Sequence, residues 1–447
     1  MLKRKIMSDL IAWKENKATK KKALLIKGLR QIGKTYIVKQ FAKENYKNVI
    51  YINFKENDSI KDVFNGDLVV DRILMDLTAK MPNIKLMPNN TLIIFDEVQE
   101  CANARASVKY FVEDGRYDVI ETGSLLGIRG YNQNIGKGVP TGSEHILYMY
   151  PLDFEEFLWA KGIDESVILY LKDCFEKRTP ISETTHLAML RYYKEYICVG
   201  GLPEAINTFI ATGDMNAVYD EQRDILEAYK DDFGKHLDDN EQEAVDKKLL
   251  HRILEVFNSI PYQLAKENKK FQYSKIENHG RSSEYKAAIQ WLVDAGIVNK
   301  CCALNNFEQP LDGNANPDIF KLYMQDSGLF LAMFEKGIAG HILSGDLGIY
   351  KGAIYENIIA DAFSKMGRKL YYYSTEGGLE IDFVITYDFE TTLIEVKATN
   401  GKTKSSNYIL SRYNDYKVKK LIKLGEYNIG EIDNKLTIPY YLAFLLK

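Results

Sequence analysis

The sequence predicts an α/β multidomain protein that begins with a parallel sheet. Three observations support this prediction. At 447 residues the chain is too long for one ordinary core, so several domains are expected. Short apolar runs alternate with helical patterns over the first third of the chain, which is typical of buried parallel strands. Later segments change to a mainly helical pattern and then to a mixed one, which indicates further domains.

The composition is that of a globular protein without a strong charge bias. Hydrophobic residues make up 46% and charged residues 27%, and the net charge of −3 argues against uniform coating of nucleic acid. The cysteines form no C-x-x-C pair and the histidines no H-E-x-x-H motif, so no zinc site is expected. No apolar run could span a bilayer and none follows the basic N-terminus, which predicts a cytoplasmic protein without membrane contact.

Five apolar runs predict the strands of a first domain over residues 1–151. Continuous runs of this kind, separated by helical segments, indicate strands that are covered on both faces. A short N-terminal helix is expected before them, and the sheet is expected to end near Pro151. The runs are Ala23–Ile26, Val49–Ile52, Leu92–Phe95, Asp118–Ile120 and Ile146–Met149.

The segment after the first strand has the P-loop pattern G-x-x-x-x-G-K-[ST], with an ordinary glycine turn as the alternative. Glycines at both ends let the loop curl so that backbone N–H groups face phosphate oxygens. Lys34 can then reach the β and γ phosphates, the Thr35 hydroxyl can ligate Mg²⁺, and the following helix presents its positive end. The predicted binding residues for ATP with Mg²⁺ are Gly28, Leu29, Arg30, Gln31, Ile32, Gly33, Lys34, Thr35 and Tyr36.

A second motif, Leu92–Glu97, lies about 60 residues further along the chain. Four apolar residues predict a buried strand, and two carboxylates follow at its C-terminal end, where open α/β sheets place their ligands. Asp96 is expected to hold the Mg²⁺ shell, and Glu97 to act as the general base that polarises the attacking water. The order of the two motifs predicts Mg²⁺-dependent hydrolysis of a nucleoside triphosphate.

The next strand ends in Thr122–Ser124, which offers hydroxyl groups at the same edge of the sheet. A hydroxyl here could contact the γ-phosphate or the attacking water, although a structural turn is the alternative. Arg105, Arg116 and Arg129 are candidates for an arginine finger, which stabilises charge on a transferring phosphoryl group. The sequence does not choose among these three arginines.

These motifs resemble those of the AAA-type ATPases of bacteria and archaea that carry an uncharacterised C-terminal domain. The resemblance implies a Walker B pair at Asp96 and Glu97, a sensor position at Ser124 and a helical lid over residues 152–240. A ring, a dimer and a monomer all stay open, so a homo-oligomer is one of three expectations. The resemblance covers essentially the whole chain and rests on Gly28–Thr35, Phe95–Gln99, Thr122–Ser124, Tyr150–Phe157 and Gly200–Ala205.

Residues 241–315 have the lengths of a winged helix-turn-helix, in which Ser283–Val293 would be the DNA-recognition helix. Lys275, Arg281 and Lys286 lie near that helix, but a protein–protein module is an equal alternative. Trp291, Leu292 and Ala295 are expected in the core. The predicted elements are helices at Leu249–Phe257, Tyr273–Asn278 and Ser283–Ala295, and a strand at Ile297–Lys300.

A second acidic cluster is predicted in residues 316–447. Glu380–Tyr387 and Thr392–Ala398 have the pattern of a β-hairpin, which can bring Asp382 beside Glu395 and Lys397. Two carboxylates form an oxygen site for Mg²⁺, and an adjacent lysine can position or deprotonate a water molecule.

This cluster resembles the restriction-endonuclease-like, or PD-(D/E)xK, nuclease family, although Ile381 stands where the pattern has proline. The resemblance implies catalytic roles for Glu356, Asp382, Glu395 and Lys397, with Asp382 and Glu395 as metal ligands. An ordinary hairpin, or a retained fold without catalysis, is the alternative. A run of basic residues that faces only Asp415 could hold a phosphate backbone or form a solvated face; it comprises Lys402, Lys404, Arg412, Lys417, Lys419, Lys420 and Lys423.

The leading hypothesis from the sequence is an ATPase whose ATP hydrolysis drives or gates action on DNA, with a metal-dependent nuclease domain. The alternative is an ATP-dependent switch that binds DNA or a partner protein and cuts nothing.

Overall fold

The computed structural model describes residues 2–16, 21–125, 140, 142–233, 243–265, 269–277, 280–346, 350–397 and 403–447. Its first layer is a parallel sheet in the order β2-β3-β4-β1-β5, so the predicted parallel sheet is confirmed. The strands are β1 Ala23–Gly28, β2 Asn48–Asn53, β3 Thr91–Asp96, β4 Asp118–Ser124 and β5 Glu144–Met149.

The central strands of this sheet are buried on both faces. Every residue of β1 and β3 is buried, as expected from their continuous apolar runs. Successive side chains of β1 point to opposite faces, so Leu24 and Ile26 pack in one apolar cluster and Ala23 and Leu25 in another. The surrounding helices are α1 Ile6–Glu15, α2 Lys34–Asn45, α3 Val70–Lys80 and α4 Ala102–Asp114.

A helical segment follows the sheet, as the pattern of residues 152–229 predicts. Its first helix begins with a capping box, in which the Asp153 carboxylate accepts from Glu156 N at 2.9 Å. Such a cap stabilises a helix by about 1 kcal/mol. The predicted interruption at Gly200–Pro203 separates two of the helices. They are α5 Phe154–Ala160, α6 Glu165–Glu176, α7 Glu183–Val199, α8 Pro203–Thr212 and α9 Met215–Phe233.

The middle segment contains two long helices and a β-hairpin. The predicted helix from Tyr273 is only a 3₁₀ turn, Tyr273–Lys275, and Asn278 lies outside the described residues. The Gln263 side chain bonds both N and O of Gln272, which holds the chain extended just before that turn. The other elements are α10 Glu243–Leu264, α11 Ser282–Asp294, β6 Val298–Leu304 and β7 Ala315–Met324, with Trp291, Leu292 and Ala295 buried as expected.

The C-terminal part contains two sheets. The first has the order β7-β6-β8-β9, so it includes the hairpin of the middle segment, and the predicted boundary at residues 315/316 falls at the start of β7. The second has the order β10-β11-β12-β14-β13. Its strands and those added to the first sheet are β8 Leu370–Ser374, β9 Glu380–Ile381, β10 Phe383–Tyr387, β11 Glu390–Val396, β12 Lys420–Gly425, β13 Gly430–Ile432 and β14 Lys435–Pro439.

One predicted strand, Glu380–Tyr387, is divided at Asp382. Residues before it pair with β8, and residues after it pair with β11. The Asp382 carboxylate accepts a hydrogen bond from Val396 N at 2.8 Å, which fixes the chain where it changes sheets. The remaining helices are α12 Ser327–Ala332, α13 Ile338–Ser344, α14 Lys351–Lys365, α15 Lys404–Ser411 and α16 Tyr413–Tyr416. Within the described ranges, no helix has the length and apolar character needed to cross a membrane.

Candidate functional site

The glycine-bounded loop begins where β1 ends. A Cβ on Gly28 would lie 2.3 Å from Met149 O and 2.5 Å from Ile32 Cδ1, so this position accepts only glycine without rearrangement. Gln31 and Gly33 have positive φ values of 61° and 86°, which turn the loop back towards the first turn of α2. The loop therefore has the curled backbone that the P-loop pattern predicts.

Substitution of Gly28 should disturb this curl. We expect Gly28→Ala to destabilise the protein by about 1–3 kcal/mol, because the added methyl group overpacks the contact with β5. Gly313→Ala is the matched control, since nothing lies within 4 Å of a Cβ built there. Thermal unfolding of both variants measures the effect, and an unchanged melting temperature for Gly28→Ala would contradict the close contact with Met149.

Lys34 lies folded over its own loop. Its Nζ donates to Gly28 O at 3.1 Å and to Leu29 O at 2.6 Å. Burial lowers the pKa of Lys34 to about 8, while the nearby carboxylates Glu97 and Asp96 act to raise it. The two loop carbonyl oxygens therefore occupy the positions around Lys34 Nζ that phosphate oxygens would take. This arrangement suits a phosphate-binding role for Lys34.

Asp96 is the point at which three hydroxyl groups converge. Thr35 Oγ1 donates to Asp96 Oδ2 at 2.9 Å, and Tyr51 OH donates to the same oxygen at 2.6 Å. The Thr122 hydroxyl donates to Asp96 Oδ1. Burial, together with the bond to Asp96, raises the pKa of Tyr51 above its usual range. The structure places Thr35 and Asp96, the two predicted Mg²⁺ ligands, in direct contact. The sequence gave no role to Tyr51, on the neighbouring strand β2.

Glu97, just after β3, and Ser124, at the end of β4, differ in their surroundings. Glu97 has a left-handed backbone, with φ 53° and ψ 47°, and its carboxylate accepts from the Gln99 side chain. Ser124 pairs with Gly28 in the strand register and is buried beside the loop. Within the Thr122–Ser124 turn, the structure thus brings the Thr122 hydroxyl onto Asp96 and sets Ser124 against the loop backbone.

Distant parts of the chain brace the loop. The buried Arg4 guanidinium donates to Ile32 O at 3.0 Å and to Tyr150 O at 2.6 Å. From α9, Tyr229 OH donates to Arg30 O at 2.9 Å, and Asp232 forms an ion pair with the Arg30 side chain. The N-terminus and the helical segment therefore both hold the loop, which the sequence did not reveal.

A cleft lies between the loop and the first turn of α8. Its lining includes Pro203, Glu204 and Asn207 on the helical side. Apolar and polar groups facing each other in this way suit a nucleoside. On the other side the cleft is lined by the predicted binding residues Gln31, Ile32, Gly33 and Tyr36, together with Leu2, Arg4 and Ile37.

Two candidate arginine fingers lie away from this edge of the sheet. Arg105 donates two bonds of 3.0 Å to Glu144, at the amino end of β5. Arg116 precedes β4 and pairs with Asp71 and Asp114 at the same amino edge. Neither arginine can therefore act on a phosphate at the Gly28 loop of the same chain, and Arg129 lies outside the described residues.

The second acidic cluster comes together at the junction of β10 and β11. Lys397 Nζ lies 2.5 Å from Glu395 Oε2 and 3.9 Å from Asp382 Oδ2. Burial and then the charge of Glu356 raise the pKa of Asp382 to about 7. Burial acts to lower the pKa of Lys397, but Asp382 and Glu395 raise it above its usual range. Carboxylates of this kind are suitable oxygen ligands for Mg²⁺.

Glu356, on α14, faces this cluster but is bound by other residues. Tyr323 OH donates to it at 3.0 Å, Lys321 Nζ lies 3.8 Å away, and Lys269 forms a direct ion pair with it. Burial opposes the charge of Glu356, yet Lys269 and Lys321 hold its pKa below the usual range. In the part of the chain that the structure describes, no three His, Cys, Asp or Glu side chains are grouped so as to hold a metal.

Acidic residues neutralise part of the basic surfaces that the sequence predicts. Lys420 lies 3.1 Å from Glu390 and 3.9 Å from Asp388, so the prediction that the downstream basic run faces only Asp415 is wrong. The hairpin turn supplies these acids, and Lys402 lies outside the described residues. By contrast, Lys275, Arg281 and Lys286 are all exposed around α11.

The parallel sheet, the curled loop and the Thr35–Asp96 contact together form the architecture of a P-loop domain. Comparison with protein families agrees, because residues 20–158 match the model of the AAA domain. Two further regions match models that carry no assigned function: residues 190–339 match the domain of unknown function DUF8612, and residues 351–442 match the domain of unknown function DUF4143.

Individual relatives add little to this class. An uncharacterised protein of Methanocaldococcus jannaschii, MJ1544, is 29% identical over 195 residues, which is 42% of this chain and 37% of that protein. Among solved structures, the Aeropyrum pernix ORC2 protein in ADPNP–ADP complexes has a TM-score of 0.35 at 14% identity, covering 82% of this chain and 96% of that one. A DNA replication initiation factor has a TM-score of 0.24 at 13% identity, covering 65% and 87%.

Proposed function

We propose that the protein binds ATP with Mg²⁺ at the Gly28–Thr35 loop, hydrolyses it, and uses this cycle to drive or gate action on DNA. The observation that carries the proposal is the contact between Thr35 and Asp96, at 2.9 and 3.1 Å, beside a loop that only glycine can close. A hydroxyl and a carboxylate at this spot are the oxygen ligands that Mg²⁺ prefers.

Each residue at this edge has a distinct part in hydrolysis. Thr35 and Asp96 would hold Mg²⁺, which supplies positive charge next to the phosphates. Lys34 is positioned to exchange its carbonyl partners for phosphate oxygens. Glu97 takes a proton from the attacking water, and Thr122 and Tyr51 keep the Asp96 carboxylate oriented.

Nucleotide titration tests the binding step directly. We expect a fluorescent ATP analogue to bind more tightly with Mg²⁺ than without it, and Thr35→Ala to reduce this gain by about tenfold or more. Thr78→Ala, at an exposed position on α3, is the matched control. If the folded wild-type protein binds neither adenine nor guanine triphosphates in excess divalent cation, the proposal is wrong.

The geometry of α14 supports the gating part of the proposal. Near its C-terminal end, Lys365 Nζ donates to Leu152 O at 3.1 Å and to Tyr196 OH at 2.9 Å. Asp326, preceding α12, accepts from Gly201 N at 2.6 Å, in the turn that leads to the nucleoside cleft. The helix α14 also carries Glu356. A shift of the turn at Gly201 on nucleotide binding would therefore be transmitted through α14 to the second site.

For the second site we propose metal-dependent cleavage of a phosphodiester. Asp382 and Glu395 would hold the cation, and Lys397, in contact with both, would position the attacking water. Glu356 completes the carboxylate set. The exposed Lys275, Arg281 and Lys286 around α11 offer a surface for the DNA backbone.

One observation favours a second candidate function, an ATP-dependent switch without nuclease activity. Lys269 and Lys321 pair with Glu356. In addition, no three His, Cys, Asp or Glu side chains of the described residues are grouped so as to hold a metal. In that case the C-terminal domain would bind DNA or a partner protein and cut neither. A nicking assay distinguishes the two candidates.

A further inference from the structure

Lysine side chains occupy the contacts that a metal ion would need at the second site. Among the described residues, Lys397 bridges Asp382 and Glu395, Lys269 and Lys321 approach Glu356, and Lys321 also pairs with Glu380. Three ammonium groups therefore offset most of the charge of four carboxylates. Coordination of a divalent cation by Glu356 requires an ammonium group to leave this carboxylate.

Lys321 is held too firmly to be the group that leaves. Its side chain is 1% exposed, and its Nζ also lies 2.8 Å from Glu380 Oε1. The same Nζ lies 4.7 Å from the ring centre of Tyr372, so β7, β8 and β9 enclose it. Removing this ammonium would take a counter-ion from the buried Glu356 carboxylate and break the pair with Glu380, which is costly.

Lys269 differs in both exposure and attachment. Its side chain is 16% exposed, and it belongs to the connection between α10 and the Tyr273–Lys275 turn, outside the strands and helices of the C-terminal part. Its Nζ lies 3.5 Å from a Cβ built on Gly352, so it rests on the first turn of α14. Rotation of the Lys269 side chain towards solvent would withdraw the ammonium group from Glu356.

We propose that Lys269 is a displaceable counter-ion that closes the second site to divalent cations until a nucleic-acid phosphate draws it away from Glu356. This proposal rests on the metal site proposed above. The connection that carries Lys269 leads into the exposed basic surface around α11, where a DNA backbone would lie. A backbone phosphate offers Lys269 a second anion, so cation and nucleic acid enter the site together.

Cation binding can be measured without any catalytic readout. Mn²⁺ is titrated by electron paramagnetic resonance into the full-length, nucleotide-free protein, with and without short duplex DNA. We expect Lys269→Met to bind Mn²⁺ at least about tenfold more tightly than wild type without DNA, because one positive charge beside the site is gone. DNA should tighten Mn²⁺ binding by wild type and have little effect on the variant.

Three further variants complete the experiment. Lys248→Met removes an exposed lysine on α10 and should bind Mn²⁺ like wild type. Lys269→Gln removes the charge but keeps a polar side chain, so it replaces Lys269→Met if that variant melts early. Adding Asp382→Asn to Lys269→Met should abolish the gain.

The outcomes distinguish the proposed role of Lys269, which we call the gate, from the proposed metal site at Asp382 and Glu395. Equal Mn²⁺ affinity of wild type and both Lys269 variants, with bound metal lost in Asp382→Asn, would overturn the gate and leave the site. No Mn²⁺ bound by any form, with or without DNA, would overturn both. A gain that survives Asp382→Asn would assign the metal elsewhere and would also overturn the gate.

Discussion

Glu97→Gln should lower the steady-state rate of ATP hydrolysis by about 10²–10⁴-fold, or about 3–5 kcal/mol in activation free energy, while ATP still binds. Glutamine keeps the size and the hydrogen bond with Gln99 but cannot accept the proton of the attacking water. The Thr35–Asp96 pair is unchanged, so nucleotide and cation should stay bound. Phosphate release and equilibrium binding of ATP are the two measurements.

Two comparisons make this result specific. Glu100→Gln, at an exposed position three residues away, should hydrolyse ATP like wild type. Lys34→Ala should abolish turnover by a different route, because the ammonium group that holds the phosphates is missing. Robust hydrolysis by Glu97→Gln or Lys34→Ala would mean that the roles given to these residues are wrong.

Much of the first domain follows from local sequence patterns. Continuous apolar runs such as Leu92–Phe95 identify strands buried on both faces, and the carboxylates after them must lie at the carboxyl edge. The loop pattern fixes its own geometry, because Gly28 and Gly33 are required where close packing and positive φ occur. The strand ends and the positive φ at Gly33 depend on neighbours in the chain, so a single sequence is sufficient to predict them. The close packing of Gly28 against Met149 instead depends on the distant strand β5.

The residues that the sequence missed act over long separations. Tyr51 reaches Asp96 from a neighbouring strand, and Arg4 reaches Ile32 and Tyr150 from the N-terminal helix region. Knowledge that β2 lies beside β3 would have identified Tyr51. No sequence pattern predicts that Arg4 is buried against the loop, because an arginine near a terminus has the same local context as an exposed arginine.

The second site illustrates the same limit. The spacing of Glu395 and Lys397 predicts a shared face, and the structure has them in contact at 2.5 Å. The sequence did not predict that Lys269 and Lys321 would reach Glu356, because β6 and β7 join the sheet of β8 only in the folded chain. Predicting charge neutralisation at Glu356 therefore required the sheet order.

Asp382→Asn should abolish Mg²⁺- or Mn²⁺-dependent nicking of plasmid DNA, lowering the rate by about 10²-fold or more. Asp382 is influenced by the charges of Glu356, Glu395 and Lys397, and it is one of the two carboxylates proposed to hold the cation. Asparagine keeps the oxygen that accepts from Val396 N, and the fold should persist. Conversion of supercoiled to open circular DNA measures the rate.

The controls for nicking separate the two sites and the two candidate functions. Asp388→Asn changes an exposed aspartate in the adjacent hairpin turn and should cut like wild type. Lys34→Ala should keep the intrinsic cutting activity while losing ATP turnover, because the two clusters use different carboxylates. Wild type that cuts no plasmid or linear DNA with either cation, with or without ATP, would contradict the proposed nuclease activity. The pairing of Glu356 with lysines would then indicate a site without catalysis, and the ATP-dependent switch would be the better-supported function.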